Sequence, residues 1–183
     1  MPKVSQAHLD ARRAEILAGA RRAFGRWGYE GTTVARLEEE IGLSRGAIFH
    51  YFPNKKALFA ELAIEVSQHY GSVMIEGGVE AGIREASREN PDWLGVMVET
   101  HARLRHDPEF RELMEAGKDV MAPFRNWFAA EQATGRFRQD VDWLELGRFA
   151  AIVVNGFALR VLAGEPSDVE ATIRLLHDAL APR

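Results

Sequence analysis

The sequence predicts an all-α protein, with a small N-terminal head of three helices followed by a larger helical body. Three observations predict it. Apolar residues recur at helical spacing almost throughout, without two-residue alternation and without an internal repeat. Residues 32–55 read as a helix, a three-residue turn and a second short helix. Charge divides along the chain: residues 1–56 carry ten Lys/Arg and six Asp/Glu, a net of +4, whereas the remainder carries 13 bases and 21 acids, a net of −8. A basic head on an acidic body suits phosphate binding by the head alone, with an uneven solvated surface as the plain alternative.

The 183 residues suffice for one large domain or a small one joined to a larger. The absence of Cys removes disulfides, thiolate metal sites and a Cys nucleophile. With no hydrophobic signal core at the start and no apolar run of bilayer-spanning length, a cytoplasmic residence without membrane partners is expected.

Each element follows from its own pattern. Ile16, Leu17, Ala20, Ala23, Phe24 and Trp27 form the stripe of a first helix, with Gly28 as its stop. Val34, Leu37 and Ile41 share one face of a second, Gly42 can end it in the left-handed conformation, and Ser44 can cap a third over residues 45–52. Pro53 breaks the chain and Asn54 caps a fourth helix, residues 55–74, carrying Leu58, Phe59, Leu62 and Val66. The predicted division is 1–54 for the head and 55–183 for the body, with helix 55–74 linking them. Residues 77–91 are the most loop-like, with Gly77, Gly78, Gly82 and Asn90-Pro91, though a short helix fits near 79–86. A helix with Trp93, Val96, Met97 and Leu104 ends near His106, and Asp107-Pro108 opens another that carries Phe110, Leu113, Val120, Phe124 and Phe128. Lys118 and Pro123 leave room for a break in it. Residues 143–162 are apolar around more than one face, which predicts burial on several sides; Arg148, Asn155 and Arg160 argue against a membrane span. Ser167 or Asp168 caps a last helix with Val169, Ile173, Leu176 and Leu180. The last two helices read as a homodimer-forming pair, with a purely internal core role as the alternative.

The chemistry concentrates in the third helix. Gly46 and Ala47 leave its N-terminal face without bulk, so backbone can approach base edges, and Arg45 can pair in bidentate fashion with guanine. His50 and Tyr51 can reach phosphate or sugar, while Ile48 and Phe52 pack inward. Thr33 and Ser44 sit where helix N-termini offer amides to phosphates, and Lys55 can add a charged phosphate contact. The expected partner is double-stranded DNA. A helical corner in a protein-interaction module, with Arg45, His50 and Lys55 merely solvated, is the competing reading.

Residues 28–34 (Gly-Tyr-Glu-Gly-Thr-Thr-Val) and 42–55 (Gly-Leu-Ser-Arg-Gly-Ala-Ile-Phe-His-Tyr-Phe-Pro-Asn-Lys) resemble the DNA-binding domain of TetR-family transcriptional regulators. The resemblance spans about residues 11–60, and more weakly the segment Gly135-Arg136 to Asp142 and Gly156. It implies a dimeric, ligand-responsive repressor of a palindromic operator, with a larger C-terminal helical domain for dimerisation and small-molecule binding. Two departures stand out: Phe49 replaces a Tyr whose hydroxyl binds phosphate, and Glu38 and Ile41 replace small residues, which predicts altered packing between the second and third helices. Arg36-Leu37-Glu38-Glu39, with residues 44–50 and Leu104-Arg105-His106-Asp107-Pro108, is similar to the actinobacterial aconitase-repressor subgroup, as are the opening five residues.

That resemblance implies an effector pocket, for which polar residues in apolar windows are candidates: His101, Arg103, Arg125, Asn155, Arg160 and His177. Arg125 lies among Phe124, Trp127 and Phe128, where a carboxylate ligand would balance its charge; the internal alternatives are Glu99, Glu131 or Asp178. The narrower resemblance implies a citrate-like effector that could bring Mg²⁺ with it. No dedicated metal site and no resident cofactor are expected, nor any catalytic residue: phosphate loop, nucleophile elbow and paired-His motifs are all missing.

Overall fold

The computed structural model describes residues 6–88, 91–116, 119, 121–165 and 167–182. Among these are ten helices and no strand: α1 (Gln6–Gly31), α2 (Val34–Ile41), α3 (Arg45–Tyr51), α4 (Lys55–Gly77), α5 (Val79–Ser87), α6 (Pro91–His106), α7 (Pro108–Ala116), α8 (Ala122–Ala133), α9 (Trp143–Leu162) and α10 (Val169–Leu180). The opening five residues, Asn90, Lys118 and Val120 lie outside the described residues. The chain groups into two compact units, one of Met1–Val66 with Pro91–Gly117 and one of Ser67–Asn90 with Lys118–Arg183. This division differs from a head ending at residue 54, because the aromatic core of the first unit draws on α4 and α7.

In that first unit α1 turns at Gly28, whose φ of 66° and ψ of 177° belong to a region open essentially to glycine alone. Thr32, fully buried, places its hydroxyl 2.6 Å from the Gly28 carbonyl and so holds the turn. The ring of Phe59 on α4 then meets Phe24 at 4.9 Å, Tyr29 at 5.0 Å and Phe110 of α7 at 5.6 Å between centroids. Such pairs add about 0.5–1.5 kcal/mol each beyond area burial. α6 lies against α1 with backbone in contact where Gly25 faces Asp92 and Gly95.

The α6–α7 junction is an ionic node. Asp107 Oδ1 accepts from the Phe110 amide at 3.1 Å and from Lys56 Nζ at 3.0 Å, while Oδ2 accepts from Arg103 Nη1 at 3.1 Å. The amide bond first, and the two cations after it, hold the Asp107 carboxyl below the usual carboxylate range. A depressed pKa contributes stability that is complete above the unfolded value and is lost as pH falls through the folded one. Asp107→Asn, which keeps the capping oxygen but loses the charge, is therefore expected to melt earlier than the parent at neutral pH. The gap should close below about pH 4, where an ordinary Asp protonates. Melting curves at stepped pH check this; a gap independent of pH would contradict it.

The second unit is built from the last part of α4 with α5, α8, α9 and α10. A single residue of positive φ, Gly78 (φ 79°, ψ 175°), separates α4 from α5. The stretch read as loop is accordingly helical through Ser87, since one glycine suffices to redirect the chain. The helix expected across residues 108–128 is two, α7 and α8, with Pro123 in the first turn of α8. Phe128 centres an aromatic cluster, 5.0 Å from Phe124, 5.0 Å from Trp127 and 5.1 Å from Phe137. Asp142 caps α9 through the Leu144 amide at 2.8 Å, and Asp168, rather than Ser167, caps α10 through the Ala171 amide at 2.8 Å. α9 buries Leu146, Ala150, Val154 and Phe157 but leaves Phe149, Ile152, Leu159 and Leu162 exposed, so burial on several sides is not met within the chain. No helix among the described residues is long and apolar enough to cross a membrane.

Candidate nucleic-acid interface

The head carries a helix, turn and helix whose ends are locally determined. Thr33 Oγ1 accepts from the Arg36 amide at 3.3 Å at the start of α2, and Gly42 (φ 76°, ψ 20°) ends it in the left-handed conformation. Ser44 Oγ accepts from the Ala47 amide at 3.4 Å, and α3 runs Arg45–Tyr51. Asn54 Oδ1 accepts from the Ala57 amide at 2.9 Å to begin α4. The hydroxyls of Thr33 and Ser44 are thus engaged as caps.

The atypical residues of α2 have separate explanations. Glu38 bridges α2 to α3 by accepting from the Arg45 amide at 2.6 Å, a charged acceptor at a helix N-terminus, where it is favoured. Ile41 packs instead on α1: a Cβ on Gly19 would lie 2.7 Å from Ile41 Cγ1, so the larger side chain fills the space that glycine leaves. Glu38 thus links α2 to α3, whereas Ile41 packs on α1.

Ile48 and Phe52 are buried, with Arg13 stacked on the Phe52 ring at 4.8 Å. Arg45, Gly46 and His50 are exposed, Ala47 and Tyr51 half-buried, and the His50 and Tyr51 rings meet edge to face at 5.3 Å. The Arg45 guanidinium has no ion pair among the described residues. A Cβ on Gly46 would meet nothing within 4 Å. No contact among the described residues requires that glycine, although it costs helix stability of about 0.5–1 kcal/mol relative to Ala.

Lys55 is placed differently from expectation. Its Nζ donates to the Tyr29 carbonyl at 2.8 Å and the Thr32 carbonyl at 3.0 Å, 4.3 Å from the Tyr29 ring centroid. Burial pushes the ammonium below the usual lysine range. Two of its three donors fasten α4 to the end of α1, leaving one for any phosphate. Sequence reasoning passed over Arg26, Trp27 and Arg36, which form a stack; the available signal was a base in the first turn of α2, against the helix dipole.

The six effector candidates are not gathered. His101 is exposed on α6, its Nδ1 2.8 Å from the Met97 carbonyl. Arg103, also in the first unit, pairs with Asp107 and Glu30 and lies 3.5 Å from the Tyr29 ring centroid, so its charge is balanced internally. The other four lie in the second unit. Arg125 pairs with Asp119, none of the acids the sequence suggested, and lines a cavity of about 300 Å³ with Phe124, Trp143 and Arg148. Arg160 bonds Glu165 at 3.0 Å and lines a second of about 330 Å³. His177 Nε2 lies 3.2 Å from Glu80 Oε2 in a third, of about 580 Å³, with Trp127, Glu131, Arg136 and Phe137. Asn155 is half-buried on α9, outside these linings. Among the described residues no group of three or more His, Asp or Glu could hold a metal ion.

Comparisons with known proteins bear on this head and on the chain as a whole. Residues 16–62 match the family described as bacterial regulatory proteins, tetR family. The chain is 38% identical over 184 residues to the HTH-type transcriptional repressor Rv1474c of Mycobacterium tuberculosis, covering 98% of each. It is 39% identical over 184 residues to the HTH-type transcriptional repressor AcnR of Corynebacterium diphtheriae, covering 98% of this chain and 97% of that one. In fold it is similar to Salmonella enterica GusR, with a TM-score of 0.73 at 21% identity over 97% of this chain and 98% of that one.

Proposed function

The chain belongs to the TetR family of bacterial regulatory proteins, and on that premise we propose that it is a homodimeric, cytoplasmic repressor that reads a palindromic operator and is released by a small-molecule effector. The observation that carries the reading is the N-terminal face of α3. There Arg45 is exposed and without an acid partner among the described residues, beside a glycine that packing does not require. A bare helix face lets backbone approach base edges, and an uncommitted guanidinium offers the bidentate fork that guanine accepts. Gly46, Ala47, His50 and Tyr51 complete the base- and sugar-facing surface, with the α2 and α3 N-termini at Thr33 and Ser44 toward phosphates. The exposed apolar stripe of α9 with Leu175 of α10 supports the dimer, which would set two heads on half-sites about one helical turn, roughly 34–36 Å, apart.

The effector belongs in the second unit under this reading. A citrate-like carboxylate would enter the cavity lined by Arg125 and Arg148 by competing with Asp119 and Glu145, which now hold those guanidinium groups, a geometry suited to carboxylate recognition. Mg²⁺ would enter only with that ligand. α4, divided between the two units, is the lever through which an effector shifts the population away from DNA.

Selection from a random-duplex library tests the proposal. The parent is expected to enrich an inverted repeat, and Arg45→Ala to relax one position per half-site by about 1–3 kcal/mol. Citrate with Mg²⁺ should dissociate the selected complex. Enrichment of no duplex would overturn the regulator reading, and an unchanged motif with Arg45→Ala would displace the recognition helix.

A further inference from the structure

We infer that Arg26, Trp27 and Arg36 form a second phosphate-binding site of the head, gripping the DNA backbone outside the recognition helix. The inference rests on the DNA-binding reading and adds a contact surface to it.

Two guanidinium groups share one indole. Arg26 Cζ lies 4.9 Å and Arg36 Cζ 5.2 Å from the Trp27 ring centroid. Both arginines are exposed and the indole is half-buried, so the platform is anchored while the cations face solvent. Neither arginine has an ion pair among the described residues, a state they share with Arg45 and one that sets them apart from the four earlier arginines of α1. Arg12 pairs with Glu15 at 2.6 Å, Arg13 with Glu61 at 3.0 Å, Arg21 with Glu65 at 3.4 Å and Arg22 with Glu40 at 2.6 Å.

The placement is electrostatically costly as it stands. Arg36 is the third residue of α2, its own amide bonded to the Thr33 cap, and the first turn of α2 holds no acid. A helix N-terminus carries about half a positive charge, so a cation there is opposed by the dipole as well as by Arg26. Stacking on Trp27 returns part of that cost. An anion there would be attracted by both cations and by the dipole, and so would offset these repulsions. The stack also preorganises the forks: Arg36 Nη1 donates to the Gly31 carbonyl at 2.5 Å, which fixes the guanidinium and leaves Nη2 and Nε for a ligand. Planar, preoriented guanidinium groups suit phosphate oxygens. In helix-turn-helix docking the first helix crosses the backbone while the second enters the groove, and the Arg36 end of α2 is the end that carries these cations.

The test measures binding to a mixed-sequence duplex lacking an inverted repeat, by fluorescence polarisation across a KCl series. Each phosphate neutralised contributes about 0.9 to the slope of log K against log salt. Arg26→Gln and Arg36→Gln should each shallow the slope by about 0.9 per protomer, and the double variant by about 1.8. Arg36→Lys, retaining charge, should restore most of its share, and Arg22→Gln, removing a paired base, should leave the slope alone. A role confined to holding the α1–α2 turn would lower the melting temperature without moving the slope. Should the double variant melt early, the single variants carry the same test. A parental slope in the variants that bind would overturn the inference and leave the regulator reading intact. A parent that binds no duplex at any salt would overturn both.

Discussion

Ile152→Glu combined with Leu175→Glu is expected to convert the protein to a monomer and to weaken operator binding by about two orders of magnitude or more. Ile152 is 68% and Leu159 51% exposed on α9, and Leu175 is 70% exposed on α10. Phe149, Ile152, Gly156, Leu159 and Leu162 recur at intervals of three and four, so they form one stripe. Gly156 sits in the middle of it, exposed, and a Cβ there would meet nothing within 4 Å. A mid-helix glycine costs about 1 kcal/mol against Ala, and no contact among the described residues recovers it. A partner helix approaching closely at that point would. Full burial of each large apolar side chain is worth about 1.5–3 kcal/mol, and in a two-fold interface every residue counts twice. Glutamates at those positions reverse the gain and place like charges across the axis. Loss of the second head removes the effective-concentration advantage, about 10²–10⁴-fold. Light scattering with chromatography reads the oligomer and polarisation reads the operator; an intact dimer would reject α9 as the interface.

What was legible beforehand and what was not divides by the distance over which each feature is determined. Gly42, Ser44 and Asn54 act on backbone within four residues of themselves and end or cap the helices as read from sequence, and Thr33, read only as a phosphate-facing position, caps α2 in the same local way. The turn at Gly28 belongs with them. Charge partners are another matter. Lys55 finds carbonyls 26 and 23 residues back in the chain, and Arg103 finds Glu30 73 residues away. Arg125 pairs with Asp119, six residues before it, and not with Glu131, six residues after it, nor with Glu99 or Asp178. A lysine on a short motif looks the same in sequence whether its ammonium faces a phosphate or a carbonyl. The spread of the effector candidates over both units has the same cause, since polarity within an apolar window marks a residue without naming its neighbours.

Two glycine-to-alanine changes are expected to move the melting temperature in opposite directions. Both sites are helical, so alanine gains up to about 1 kcal/mol of helix stability at either. At Gly25 that gain is overwhelmed. The new Cβ would lie 2.4 Å from Asp92 Cα and 3.2 Å from its carbonyl carbon, both backbone atoms that no rotamer change can clear. Gly95 approaches from the same side, where its own Cβ would lie 3.0 Å from Gly25 Cα. The α1–α6 crossing must then open, at a cost of about 1–3 kcal/mol or more, and Gly25→Ala should melt several degrees early. At Gly46 the space is empty, so Gly46→Ala should melt at or slightly above the parent. Its operator affinity should fall nonetheless if backbone at that point approaches the bases. Calorimetric melts with matched polarisation titrations separate the cases. A Gly46→Ala protein that is both stable and fully competent for the operator would remove Gly46 from the base-facing surface, while the Gly25 result depends only on the packing of α1 on α6.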